Sequence, residues 1–165
     1  MIYSNRGNDL TSRFPEVAQA VVKLPARTVI IDAELTACDH ERMPKFGALM
    51  ARSKHGLCAW CFDIMQLDGE DLRPLPLTER RGVLQDLLRS KHASTLRFSE
   101  EFLDPIVLLS AAEGMGLKGV ISKLRNHPYK SGANRGWVKV KTAAWREANR
   151  DRWELFQREG GIRRS

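Results

Sequence analysis

No run in the 165-residue chain approaches the roughly 20 consecutive apolar residues of a membrane-spanning helix, so none is expected. The opening segment, MIYSNRGNDL, is polar and lacks the apolar centre of a secretory signal, which makes the cytoplasm the expected compartment. Cysteine is scarce. Cys38, Cys58 and Cys61 are an odd set of three, and without an export signal they are expected to be reduced thiols. Two of them give LCAWCF a Cys-x-x-Cys spacing. That run reads as an apolar strand, however, in which residues three apart face opposite sides and cannot grip one metal. There is no internal repeat and no low-complexity linker. Acidic residues become rare toward the end. Residues 118–165 hold 13 basic and 4 acidic side chains, against 14 and 16 in residues 1–117, so the formal charge of +7 comes from the last part of the chain. This asymmetry favours a polyanionic partner, nucleic acid first; the plain alternative is a solvated basic helix.

What is present is ordinary globular material. A hydrophobic content of 42% and a charged content of 28% suit a soluble domain, long enough to bury a core without covalent staples. Residues 27–38, RTVIIDAELTAC, read as a strand rich in β-branched residues, followed by helix-like spacing of Phe46, Leu49 and Met50. LCAWCFDIMQL is a second strand, closed by the turn pair Asp68-Gly69 and followed by a brief return. Thr78 is placed to cap a helix whose stripe is Val83, Leu84, Leu87 and Leu88. Residues 94–102, STLRFSEEF, read as a short strand. Asp104 and Pro105 open another helix. LKGVISK and GWVKVKT read as two strands joined by a polar loop, before an amphipathic helix from about Ala143 to Glu159 that Gly160-Gly161 ends. Strand pairs interspersed with helices suggest an α+β fold with antiparallel sheet.

Three groups of residues could carry chemistry. Asp32, Glu34 and Thr36 share one face of the first strand, where carboxylates can hold a divalent metal or accept from a ribose hydroxyl, or simply meet solvent. Phe62 beside Asp63 reads most simply as core beside surface, and alternatively as a platform for a nucleobase. Lys123, Lys139 and Lys141 would come together if their strands pair. They would then form a phosphate clamp, or an exposed edge guarded against aggregation. Lys139 and Lys141 share a face with Trp137, and like charges so close call for something to offset them.

The order of segments resembles the adenylation domain of ATP-dependent DNA ligases, in the bacterial repair-ligase branch. YSNRGNDLTSRFPEV is similar to the family's SRNG…D…T…RFP segment, and IIDAELTA to its LDGE strand, with Ala33 where glycine is usual. CFDIMQLDGEDLR…LTERR resembles the adenine-stacking strand and the helix after it. LKGVISKLRNHPYKSG resembles LEGVVAKR…PYRSG, and WVKVKTAAWRE the closing W-x-K-x-K motif. The resemblance implies an incomplete nucleotidyltransferase fold over residues 1–159, with a basic tail at 160–165 and no OB-fold domain. It implies ATP and Mg2+ or Mn2+ as cofactors and nicked double-stranded DNA as partner. It also implies the family's reaction in DNA repair and recombination: lysyl-AMP formation, transfer of AMP to a 5′-phosphate, and sealing by the 3′-hydroxyl. By the same resemblance Glu34 would hold ribose or metal and Phe62 would stack on adenine. Lys139 and Lys141 would meet the phosphates with Lys123 nearby, and Arg6 would belong to the nucleotide-binding set.

Three departures bear on activity. The family's nucleophilic lysine lies in a Lys-x-Asp-Gly motif, and these 165 residues contain none. Lys118 stands where the family has a metal-organising glutamate. SRNG has become SNRG, so Asn5 takes the arginine position and Arg6 follows it; on a strand, that step would reverse its face. The expectation is a ligase adenylation domain inactive alone, needing the missing segment from another chain or a longer start, with an exposed strand edge and marginal stability. A non-catalytic nucleotide- or nucleic-acid-binding remnant, or a sister RNA ligase or capping-type nucleotidyltransferase, is the alternative.

Overall fold

The structure is a computed structural model that describes residues 1–38, 44–45, 56–89, 95–132 and 136–150. The helix-like spacing at 46–50, most of the amphipathic helix beyond 150 and the basic tail lie outside the described residues. The chain divides into two compact units, one of Met1–Glu100 with Arg125–Lys130, the other of Glu101–Leu124 with Ser131–Ser165.

The first unit opens with a turn and a short helix, α1 (Pro15–Val22), to which the sequence reading assigned no element. Its sheet comprises β1 (Val29–Cys38), β2 (Pro44–Lys45), β3 (Leu57–Leu67), β4 (Glu70–Asp71) and β5 (Leu96–Phe98), in the order β2-β1-β3-β4 with β5 on β3. All pairings are antiparallel except β3 with β5, which is parallel. Ile31 and Leu35 of β1, with Ala59, Cys61 and Ile64 of β3, line the core side of the sheet with Phe14, Val17, Leu84 and Leu96. Helices α1 and α2 (Leu77–Arg89) both pack against β3 and β5.

The turn after β3 forms as its sequence demands. Asp68 and Gly69 both take positive φ, 49° and 94°, the conformation a two-residue hairpin requires. The Asp68 carboxylate accepts from the backbone N–H groups of Arg27 and Thr28, at 2.6 and 3.1 Å, tying the turn to the approach to β1. Those N–H donors, Thr28 first and then Arg27, hold its carboxyl below the usual range. The expected cap of α2 is corrected. The helix begins at Leu77, so Thr78 lies inside it, and the Thr78 N–H goes to the Arg125 carbonyl instead. The buried stripe is Leu77, Arg80, Leu84 and Leu87, with a charged residue at one of its positions.

The second unit contains α3 (Pro105–Gly114), the hairpin β6 (Gly119–Lys123) and β7 (Trp137–Lys141), and α4 (Ala143–Ala148). Asp104 caps α3 through Ile106 and Val107, as its place before Pro105 implies. Thr142 is buried between β7 and α4: its hydroxyl donates to the Leu117 carbonyl at 3.1 Å and accepts from the Trp145 N–H at 3.4 Å. Gly119 is required where it stands. Its φ is +146°, and a Cβ there would collide with the Val140 carbonyl oxygen and lie 2.9 Å from Lys141 Cα.

Candidate functional site

Side chains alternate along β1, so Asp32, Glu34 and Thr36 share the face turned from the core. Glu34 is exposed and stands opposite Trp60 of β3, whose indole N–H donates to the Thr36 hydroxyl at 3.0 Å. Arg97 of β5 lies beside Trp60, its guanidinium 5.4 Å from the ring centroid. The β1–β3 ladder slips between the pairs Asp32–Asp63 and Ala33–Cys61. Phe62 is the extra residue at that slip and is half-buried. Such a bulge bends the strand and re-aims a side chain.

The slip sets two carboxylates, Asp32 and Asp63, opposite each other, an arrangement that repels unless it is offset. Two groups offset it. Arg80 of α2 grips Asp63 with both arms of its fork, Nε to Oδ1 at 2.8 Å and Nη2 to Oδ2 at 2.9 Å, with both side chains buried. Its third nitrogen, Nη1, donates to the carbonyls of Leu75 and His127. Tyr129 donates its hydroxyl to Asp32 at 3.2 Å and carries the Arg80 guanidinium 5.8 Å from its ring centre. Burial and the adjacent Asp32 carboxylate push the Tyr129 phenol up to about 12, so it stays a donor at neutral pH. This corrects the reading of Phe62 and Asp63 as core beside surface: the acid is the fully buried residue and the aromatic is half-exposed, because Arg80 follows the acid into the interior.

On the hairpin, Ile121 pairs with Lys139, Lys123 with Trp137 and Gly119 with Lys141. The three lysines therefore occupy one face of β6–β7. Two of them lie over indoles: Lys123 Nζ is 3.9 Å from the Trp137 ring centre, and Lys141 Nζ is 4.5 Å from that of Trp145. The negative face of an indole offsets part of an ammonium charge, so the crowding of cations is relieved within the unit itself. Lys139 is exposed.

Of the sequence candidates, Glu34 and Phe62 thus fall on adjacent strands of the first unit, and Lys123, Lys139 and Lys141 on one face of the hairpin in the second. Arg6 sits in a tight turn, where Gly7 donates to the Ser4 carbonyl at 2.9 Å, so the strand-face argument about Asn5 and Arg6 does not apply to it. Cys58 and Cys61 are free and buried. They pair opposite Thr36 and Ala33, which places them on opposite faces of β3, and burial pushes the Cys61 thiol up to about 12. Arg80 and Tyr129 were not among the sequence candidates, and Asp63 was read only as the surface neighbour of Phe62. The one available signal was Arg80 at an apolar-stripe position of α2.

The family model for the ATP dependent DNA ligase domain matches residues 1–141. The chain belongs to the ATP-dependent DNA ligase family. Ligase relatives include a probable DNA ligase of Mycobacterium sp. (strain KMS), 33% identical over 149 residues that make 85% of this chain and 29% of the relative. The multifunctional non-homologous end joining protein LigD of Pseudomonas aeruginosa is 35% identical over 145 residues, 85% of this chain and 17% of that protein. Among solved ligase structures, a mycobacterial DNA ligase D complexed with ATP and MES superposes with a TM-score of 0.69 at 28% identity, over 84% of this chain and 46% of that one. The chain thus spans under a third of the length of these two curated ligases and just under half of the solved one. The likeness places the α+β, mainly antiparallel architecture within the ligase nucleotidyltransferase fold.

Proposed function

We propose that this chain supplies the nucleotide-binding walls of a DNA ligase adenylation domain acting on nicked double-stranded DNA in cytoplasmic DNA repair. In the first unit Phe62 would stack on a base and Glu34 accept from a ribose hydroxyl, with Arg6 in the nucleotide-binding set. In the second, Lys123, Lys139 and Lys141 would meet phosphates. The reading rests above all on the hairpin register, which gives three ammonium groups one face in a chain of this family. Phosphoryl transfer needs alignment and charge neutralisation more than covalent chemistry from the protein, and fixed lysines supply both. Two of the three are steadied by indoles, so less side-chain freedom is lost when a phosphate arrives.

A divalent cation fits this arrangement in one limited way. Among the described residues no three His, Cys, Asp or Glu side chains cluster as a cage. Glu34 offers a single exposed carboxylate, and Mg2+ commonly takes one or two carboxylates beside phosphate oxygens and water. When bound, the metal would neutralise phosphate charge.

The covalent step needs a lysine these residues do not present in the family's Lys-x-Asp-Gly context. We place that lysine on polypeptide outside residues 1–165, in the same chain or in a partner. Among the described residues β1 pairs on its second edge with β2, at Ala37 and Cys38. Incubated with α-labelled ATP and Mg2+, the chain alone is expected to take no covalent label. A labelled band lost in acid would reveal a phosphoramidate on one of its own lysines and overturn that expectation. ATP binding by the chain, weakened in Phe62→Ala, is the positive test. Lys118 at the family's glutamate position supports a second reading, in which the chain binds nucleotide or nucleic acid without turnover. Addition of a polypeptide carrying Lys-x-Asp-Gly separates the two, since only the first reading gives label.

A further inference from the structure

Two consecutive arginines of α2 hold two consecutive residues of the β3 bulge. Arg80 forks onto the Asp63 carboxylate at 2.8 and 2.9 Å. Arg81 donates through Nη1 to the Phe62 carbonyl at 3.1 Å and through Nη2 to the Ser99 carbonyl at 2.6 Å, with its guanidinium 4.6 Å from the centre of the Phe98 ring. A bulge disrupts the ladder locally and bends the strand, so the direction in which its residues point depends on what else holds their backbone. Here the carbonyl of the bulged residue and the side chain of the next are both fixed from the helix. Asp63 Oδ1 further accepts from the Ile64 N–H at 2.9 Å, closing the far side of the bulge. Arg81 also bridges β3 to Ser99, the residue that follows β5.

We infer that Arg80 and Arg81 are positioning residues for Phe62, fixing the backbone from which its ring is presented to the base of a bound nucleotide. Neither touches the nucleotide in this arrangement; both act through the bulge. The inference rests on the reading of Phe62 as the base-stacking residue, and the variants below separate the two.

The test uses the full chain and four proteins: wild type, Phe62→Ala, Arg81→Met and Arg81→Lys. Arg81→Met keeps an apolar stem over Phe98 and removes both carbonyl bonds; lysine restores a charge but not the fork. Arg81 is chosen because loss of the buried Arg80 threatens folding, and thermal midpoints verify that each variant folds. The readouts are affinity for ATP, affinity for inorganic tripolyphosphate, and hydrogen exchange at the bulge amides. Stacking is worth about fivefold to a hundredfold in affinity per base. Arg81→Met is therefore expected to lose about fivefold or more for ATP, to keep tripolyphosphate affinity, and to exchange faster at residues 61–64. Arg81→Lys should fall between it and wild type. Equal loss for ATP and tripolyphosphate would mark a general structural role and overturn the inference. So would a weakened Phe62→Ala beside an unchanged Arg81→Met, which leaves the stacking reading intact. Equal ATP affinity in wild type and Phe62→Ala would sink the stacking reading, and the positioning role with it.

Discussion

Asp63 and Arg80 form an ion pair with almost no contact with water, at 0% and 1% side-chain exposure. Breaking such a pair from one side leaves an uncompensated buried charge and costs about 3–5 kcal/mol. Asp63→Asn and Arg80→Met are each expected to lose stability of that order in urea titrations. The double variant should lose less than the sum, as residues of one network do. Additive losses would show that the two side chains are not coupled. The second carboxylate gives a pH prediction. Tyr129 has its phenol raised from the usual 10 to about 12 by burial and by Asp32. The folded state therefore holds that proton more tightly than the unfolded chain. The stabilisation is complete below pH 10 and is lost as pH rises from 10 to about 12. Tyr129→Phe should lose about 1 kcal/mol at neutral pH, the worth of its bond to Asp32. The gap between the two proteins should close across that alkaline window, and a gap constant to pH 12 would contradict the assignment.

At the scale of elements, the β6–β7 hairpin depends on one residue without a side chain. Gly119→Ala places a methyl against the Val140 carbonyl in a backbone conformation that L residues rarely adopt. The variant is expected to lose exchange protection throughout β6 and β7, while β1 and β3 keep theirs; intact hairpin protection would refute the contact. The elements themselves were largely legible. The β-branched run of β1, the eleven residues of β3, the Asp68-Gly69 turn and the Asp104-Pro105 helix start all stand where local pattern put them. The bulge at Phe62 was not legible, because a ladder slip is a property of two strands together. The start of α2 at Leu77 was missed for a similar reason: Thr78 has capping chemistry, but a carbonyl 47 positions away takes its N–H.

At the scale of the whole molecule, the two units differ in how much they bury. The first has a core of eleven buried apolar residues drawn from helices and sheet. In the second, Ala112 is the buried apolar residue among those described, and Leu103 and Ile106 are 82% and 80% exposed. A two-stranded ribbon and two helices that bury so little apolar surface have only a small core to hold them. The second unit is therefore expected to exchange its amides faster than the first, and the isolated chain to unfold broadly and self-associate; a sharp, reversible transition of the monomer would argue against this. The charge excess of residues 118–165 gives the last expectation. Retention of nicked DNA should weaken as salt rises, with a logarithmic slope of roughly −0.9 for each phosphate contact. A flat response would remove that region from DNA binding.

The sequence by itself determined the family, the strands and their turns, and the lysine pattern, because each of these is written in local spacing or in motif order along the chain. Tertiary structure alone decided that Asp63 lies inside and Phe62 at a bulge, that Tyr129 closes on Asp32, and that indoles lie against two of the three lysines. Those outcomes depend on which residues become neighbours across long separations. A buried charge is tolerated only where a particular partner arrives, and no local pattern around Asp63 names Arg80.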